Sequence, residues 1–344
     1  MIPINNIYYM LSYAFKILKE NSYKNMATEN FDNVGDLCAA ILCKGVSIQL
    51  KKGLGKEYIL KKEPISTIRG KVDISDSIKS NGLKRHQLTC SFDEFSENSQ
   101  MNRIIKTTLN FLLHLDISTK RKKEIRKILL FFIQVDNIDI HSINWNFQYN
   151  RNNKTYQLLL GICKLAIKGL IQTRDKGKAK LMDFDEENKA RLFEKFILEY
   201  YRQEFPKIKA YPAQIEWQLD DDFSDMLPKM KTDITLIYKE KVHIIDAKYY
   251  SQTTQKNYSI EKIHSNNLYQ IFTYVKNKEY ELKNTKHNVS GMLIYAKTED
   301  DIELNHTYNM SGNSISAKTL DLNCPFSSIK EQLNLIIMNY FPNL

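Results

Sequence analysis

The stretch from Asp225 to Tyr250, DMLPKMKTDITLIYKEKVHIIDAKYY, constrains this chain more than any other, because it sets two carboxylates and a lysine on two adjoining strands. Thr232 to Tyr238 and Val242 to Tyr250 are rich in β-branched and aromatic residues, and Lys239, Glu240 and Lys241 between them read as a hairpin turn. With the turn centred near Glu240, Asp233 is predicted opposite Ala247, one step from Asp246, at a cross-strand distance of about 5 Å. Asp246 and Lys248 are two apart and share a face of their strand. Carboxylates that close repel unless a cation sits between them, so a Mg2+ site is the physical reading, with the lysine beside it to orient water or to stabilise charge on a phosphate. A solvated hairpin carrying Asp-x-Lys by chance is the competing reading. The apolar runs Ile234 to Tyr238 and Val242 to Ile245 speak against full solvation.

Ile263 to Lys276 carries Ile263, Leu268, Ile271, Phe272 and Val275 at helical spacing, and Gln270 and Tyr274 sit four apart on one face of that helix. The pair either lines the same site or packs a half-buried tyrosine into the core. Leu192 to Glu204 is a further amphipathic helix, which carries Glu194 and Glu199. Gly291 to Ala296 has the continuous apolar character of a central strand, and Phe326 to Phe341 reads as a closing helix.

Ile7, Met10, Leu11, Ala14 and Leu18 form one stripe, so the N-terminus is predicted to be an amphipathic helix rather than a signal peptide. Lys44 to Ile74, punctuated by Gly53, Gly55, Pro64 and Gly70, is predicted to be a small β-rich module. Helices are expected at 102–115, 120–134 and 156–171. The longest apolar run, Ile128 to Ile133, is too short for a membrane span and is assigned to a core element. The polar stretch 172–189 is taken as the connection between two domains, 1–175 and 176–344.

Net charge is uneven: residues 1–170 carry +11 and residues 171–344 carry −1. The basic clusters Lys51 to Arg69 and Lys120 to Lys127 could follow a phosphate backbone, dock on an acidic partner, or be a solvated helix face. The five cysteines have no CxxC spacing, which argues against a zinc knuckle or disulfide framework and points to reducing cytosol. There is no G-x4-GK[ST] loop for nucleotide phosphates and no recognisable base-reading module.

An Asp, a dozen residues, then Asp-Ala-Lys, followed by a helix with Gln-x3-Tyr, resembles the PD-(D/E)xK nucleases, in particular the RecB-type branch. More specifically, IPINNIYYMLSYA at 2–14, RGKVDI at 69–74, NRIIKTTL at 102–109, Leu227 to Leu236, IIDAKYY at 244–250 and HSNNLYQ at 264–270 together resemble the McrC family. The resemblance implies an α+β N-terminal domain with a β-rich module and helices, followed by an α/β restriction-endonuclease-like domain. It implies an endonuclease subunit that cuts methylated double-stranded DNA and stimulates a McrB-type AAA+ GTPase ring, with GTP bound by that partner and not by this chain. Carried over with it are Asp233, Asp246 and the Ala247 carbonyl as ligands of Mg2+, for which Mn2+ substitutes. Glu194 or Glu199 is the additional acid, Lys248 is the catalytic lysine, and Gln270 and Tyr274 line the site. Self-association through the nuclease domain and a cytoplasmic location, without a membrane, complete the expectation. A stand-alone repair or junction nuclease and a non-catalytic activator remain as alternatives.

Overall fold

The computed structural model describes every residue except 1, 17–22, 24–25, 27–28, 30, 32, 81, 151–152, 176–185, 222, 250–254, 258–259, 298–302 and 343. Leu18, Tyr250 and the middle of the expected connection therefore lie outside the described residues. The chain divides into two units, one formed by Met1–Phe31 with Phe184–Leu344 and the other by Asp32–Asp183. That partition differs from a cut near residue 175: helix α1 (Ile4–Ala14) belongs with the C-terminal half.

In the inserted unit, Asn33 accepts the Asp36 N–H and starts α2 (Val34–Leu50), whose Leu37, Ile41, Leu42 and Val46 are buried. Lys44 to Leu50 is thus helical and not part of the β module, because its apolar residues continue the 3.6 period of the helix. The module is an antiparallel sheet of β1 (Glu57–Ile65), β2 (Lys71–Val72) and a later strand, β3 (Leu88–Ser96), in the order β1-β3-β2. Between β2 and β3 lies α3 (Ile74–Lys79). Gly70 has φ +66, and a Cβ there would meet Ser91 O at 2.3 Å, so the tight entry into β2 requires glycine.

Helices α4 (Gln100–Leu113), α5 (Thr119–Leu129) and α6 (Lys154–Asp175) complete this unit. Asn102 and Tyr156 join sheet to helices: Asn102 Nδ2 donates to the Gly55 and Glu97 carbonyls, while Tyr156 Oη donates to Asn102 Oδ1 and accepts from Gly55 N–H. One expectation fails here. Ile128 and Phe132 are buried, but Leu130, Phe131 and Ile133 are 67%, 63% and 74% exposed, because the chain leaves α5 through a 3-10 turn at Leu130–Phe132 that turns them outward.

The other unit is built on a mixed six-stranded sheet. After α7 (Glu186–Glu204) come β4 (Lys209–Tyr211), β5 (Gln214–Ile215), β6 (Met230–Lys231), β7 (Ile234–Tyr238), β8 (Lys241–Lys248), β9 (Gln255–Asn257) and β10 (Ile260–Lys262). These are followed by α8 (Ser265–Glu281), β11 (Asn288–Ala296), β12 (Asn305–Met310), β13 (Asn313–Leu320) and α9 (Phe326–Tyr340). The sheet order is β12-β13-β11-β8-β7-β4, with β8, β11 and β13 parallel. β8 and β11 are central, which explains their near-continuous burial. A Cβ on Gly291 would come within 2.9 Å of Val275 and Ile271, so glycine lets α8 lie close against β11.

The stripe on α1 is covered by α7 and α9. Tyr13 Oη donates to Glu204 Oε1, Tyr9 stacks on Phe326 at 4.4 Å, and the buried Asn6 amide donates to the Leu322 and Cys324 carbonyls. Without that cover, Ile7, Met10 and Leu11 would stand in water at a cost of about 1.5–3 kcal/mol each.

Candidate active site

β7 and β8 join through a two-residue turn at Lys239 and Glu240, with Lys239 at φ +53, so Tyr238 pairs with Lys241 and Ile234 with Ile245. The shorter turn moves the register by one from the expected pairing. Extended by one step, the ladder sets Asp233 across from Asp246 instead of Ala247. The strand begins only at Ile234. Asp233 lies in the bend before it and turns its Oδ2 to accept the Ala247 N–H at 2.8 Å. This hydrogen bond fixes one carboxylate against the strand that carries the other.

Asp246 is 1% exposed, and Lys248 on the same strand face reaches back to place Nζ 2.7 Å from its Oδ2. Lys248 also donates to Gln270 Oε1 at 3.1 Å, Gln270 Nε2 donates to Tyr274 Oη at 2.9 Å, and Tyr274 Oη donates to the Lys231 carbonyl at 3.2 Å. The two α8 residues are therefore linked to the lysine and anchored on β6. Tyr274 is also buried, so its ring packs in the core while its hydroxyl meets the Gln270 amide. The Lys231 carbonyl could not be foreseen from the sequence, since only the bend after β6 brings it under Tyr274.

Burial pushes the Asp246 carboxyl up to about 7, with the Lys248 ammonium opposing and Asp233 adding to the rise. Glu194 on α7 is raised to about 7 as well, first by burial and then by the charges of Asp233 and Asp246. Glu199 is engaged elsewhere, 2.6 Å from Arg202 and 3.6 Å from Lys16. Of the two candidate acids, Glu194 is thus the one in electrostatic contact with the aspartates. Among the described residues no three His, Cys, Asp or Glu side chains converge closely enough to hold a metal by themselves. A hard cation that keeps much of its water needs only one or two carboxylates, and Asp233 with Asp246 fits that donor set.

On the opposite face of β8, His243 is buried, stacks on Tyr340 at 3.7 Å and pairs its Nδ1 with Ser290 Oγ at 2.8 Å. Burial first, then the Lys318 charge, lowers its pKa to about 3, so it serves as a neutral core residue. Among the described residues no helix is long and apolar enough to cross a membrane.

Comparison with known proteins finds relatives over most of the chain. It is 30% identical over 312 residues to the type IV methyl-directed restriction enzyme EcoKMcrBC of Escherichia coli strain K12, covering 88% of each sequence. Its fold is similar to a chain in the refined half-complex from the tetradecameric assembly of Thermococcus gammatolerans McrB AAA+ hexamers with bound McrC. There the TM-score is 0.51 at 18% identity, covering 97% of this chain and 76% of that one. The family described as McrBC 5-methylcytosine restriction system component matches residues 5–296, most of both units, and the chain belongs to that family.

Proposed function

We propose that this chain is the Mg2+-dependent endodeoxyribonuclease subunit of a methyl-directed restriction system, with a PD-(D/E)xK active site, acting with and stimulating a McrB-type AAA+ GTPase. The observation that carries the reading is the cluster itself: Asp233 and Asp246 fixed side by side, with Lys248 held between Asp246 and Gln270. The E. coli relative's description as a methyl-directed restriction enzyme supports the substrate, and the T. gammatolerans assembly, in which McrC is bound to McrB AAA+ hexamers, is the basis for the partner.

Asp233, Asp246 and the Ala247 carbonyl are the groups that would hold Mg2+, or Mn2+ in its place, with Glu194 as the further acid. Bound there, the cation supplies charge neutralisation at the phosphate and lowers the pKa of coordinated water. The remaining work falls to side chains. The Lys248 ammonium stabilises negative charge as it builds on the phosphate oxygens and orients the attacking water. Gln270, fixed by Tyr274 on the Lys231 carbonyl, holds that ammonium in place so that no rotamer search precedes the reaction. GTP hydrolysis belongs to the partner, consistent with the missing phosphate loop.

The test is cleavage of methylated plasmid with the partner, GTP and Mg2+. Asp246→Asn and Lys248→Ala should each lower cutting on the order of a thousandfold, the several kcal/mol that such groups supply at a transition state. GTPase stimulation should stay intact. Undiminished cutting by the Asp246→Asn protein would overturn the site, and cutting without any partner would turn the reading toward a stand-alone nuclease.

A further inference from the structure

The basic run on α5 and the outward turn that follows it form one surface whose purpose the proposed active site leaves unexplained. Lys123 and Lys127 are four apart, Arg126 adjoins them, and Leu130 and Phe131 follow Lys127 by three and four residues, so cations lead directly into the apolar group. All three cations are exposed, and none is paired with an acid among the described residues. Glu124, the single acid between residues 119 and 133, is taken by Arg121. The turn is also built rigidly: Phe132 is fully buried beneath it, and the Lys106 ammonium donates to the carbonyls of Phe132 and Val135. Three large apolar side chains are thereby held in water by a packed and hydrogen-bonded base, a placement that folding alone does not require.

We infer that this knuckle is a duplex-DNA contact, with Lys123, Arg126 and Lys127 on phosphates and Leu130, Phe131 and Ile133 set against a groove as an apolar wedge. Leucine, phenylalanine and isoleucine are among the residues that proteins insert between base steps to bend DNA. The charge pattern favours nucleic acid over a protein surface, since a protein would have to bring several carboxylates to one small patch. Each DNA strand supplies a phosphate for every ~3.4 Å of helix axis. The unit as a whole agrees, carrying 27 basic and 15 acidic residues between Asp32 and Asp183, a net +12. The inference does not depend on the cleavage chemistry.

The experiment uses the full chain in EDTA with a duplex labelled at both ends, titrated between 50 and 200 mM salt. Replacing Lys123, Arg126 and Lys127 together with Gln should reduce the slope of log affinity against log salt by about 2.7, or ~0.9 for each lost phosphate contact. Replacing Leu130, Phe131 and Ile133 together with Ser should leave the slope unchanged, weaken binding about tenfold, and abolish the bend seen by energy transfer between the duplex ends. A thermal melt checks that the serine variant is folded, with Phe131→Ser alone as the milder version if it is not. Wild-type binding and bending by the serine variant would overturn the proposal. If that variant kept DNA binding but lost stimulation of the GTPase, the knuckle would belong to a protein contact instead.

Discussion

Asp246 in the sheet unit and Tyr58 in the inserted unit both stand where a residue of their type is not expected. The aspartate is 1% exposed on a central strand, and the tyrosine is 75% exposed on an edge strand beside Leu60 at 70%. Net charge follows the same division, −2 across Met1–Phe31 with Phe184–Leu344 and +12 across Asp32–Asp183. One unit takes ionisable groups out of water and holds each with a neighbour. The other also buries Asp36 and Arg121, but leaves Lys123, Arg126, Lys127 and the Tyr58 ring in water. Burial alone does not mark function. In each unit the informative residues are those placed against their own transfer preference and held there by specific bonds.

The strongest way to break this contrast is at Asn6. Asn6→Ala leaves the buried Leu322 carbonyl and the part-buried Cys324 carbonyl without the Asn6 donor and should destabilise the sheet unit by about 2–4 kcal/mol, read from urea melts. A loss under ~0.5 kcal/mol would mean that α1 is an ornament and not a part of that unit. Gln270→Ala should lower cleavage between about tenfold and a hundredfold, the usual cost of an orienting partner. Tyr274→Phe, which loses the Lys231 anchor, should lie toward the lower end. Equal and complete loss in both would make Gln270 more than an orienting group.

Acid acts on the sheet unit through His243. The His243 pKa in the folded chain, about 3, lies below the ordinary 6.5, so the unfolded chain takes up the proton first. Its contribution to stability is full above about pH 6.5 and is lost as pH falls toward 3. Between pH 7 and 5 the wild type should lose about 2 kcal/mol more than His243→Gln. The smallest structural effect belongs to the β module. Tyr58, whose ring lies 5.1 Å from that of Phe95, can be changed to Ser with Leu60 at a stability cost within ~0.5 kcal/mol. If that face meets the GTPase, its stimulation should nonetheless fall.

Much of the candidate site's geometry was legible because it depends on short spacings. Asp246 and Lys248 share a face by strand period, and Gln270 and Tyr274 meet by helix period, each set within a single element. The errors arose where one residue of turn length or one turn of helix decided the outcome. Reading Lys239 to Lys241 as the turn displaced Asp233 by a position, and the glycine-punctuated stretch 44–56 concealed that α2 continues to Leu50. Glu194 and Glu199 could not be separated, since only Arg202 and Lys16 in three dimensions withdraw the second. The apolar run at 128–133 misled because hydrophobicity reports what a side chain prefers, while the 3-10 turn decides where it points.

The covering of α1 by α7 and α9 sets an order of events during synthesis. α1 leaves the ribosome before α7, which begins at Glu186, by roughly 10–30 s at ~5–20 residues per second. The inserted unit can be complete by then, while the aromatic face of α1 waits for a surface to close on. Phe326, against which Tyr9 stacks, arrives later still, after every strand of the sheet. A chain stopped before Phe326 would therefore carry Asp233, Asp246 and Lys248 on a sheet whose helical cover is incomplete. The unit bearing the proposed chemistry thus closes only when segments 316 residues apart, at Asn6 and Leu322, have met.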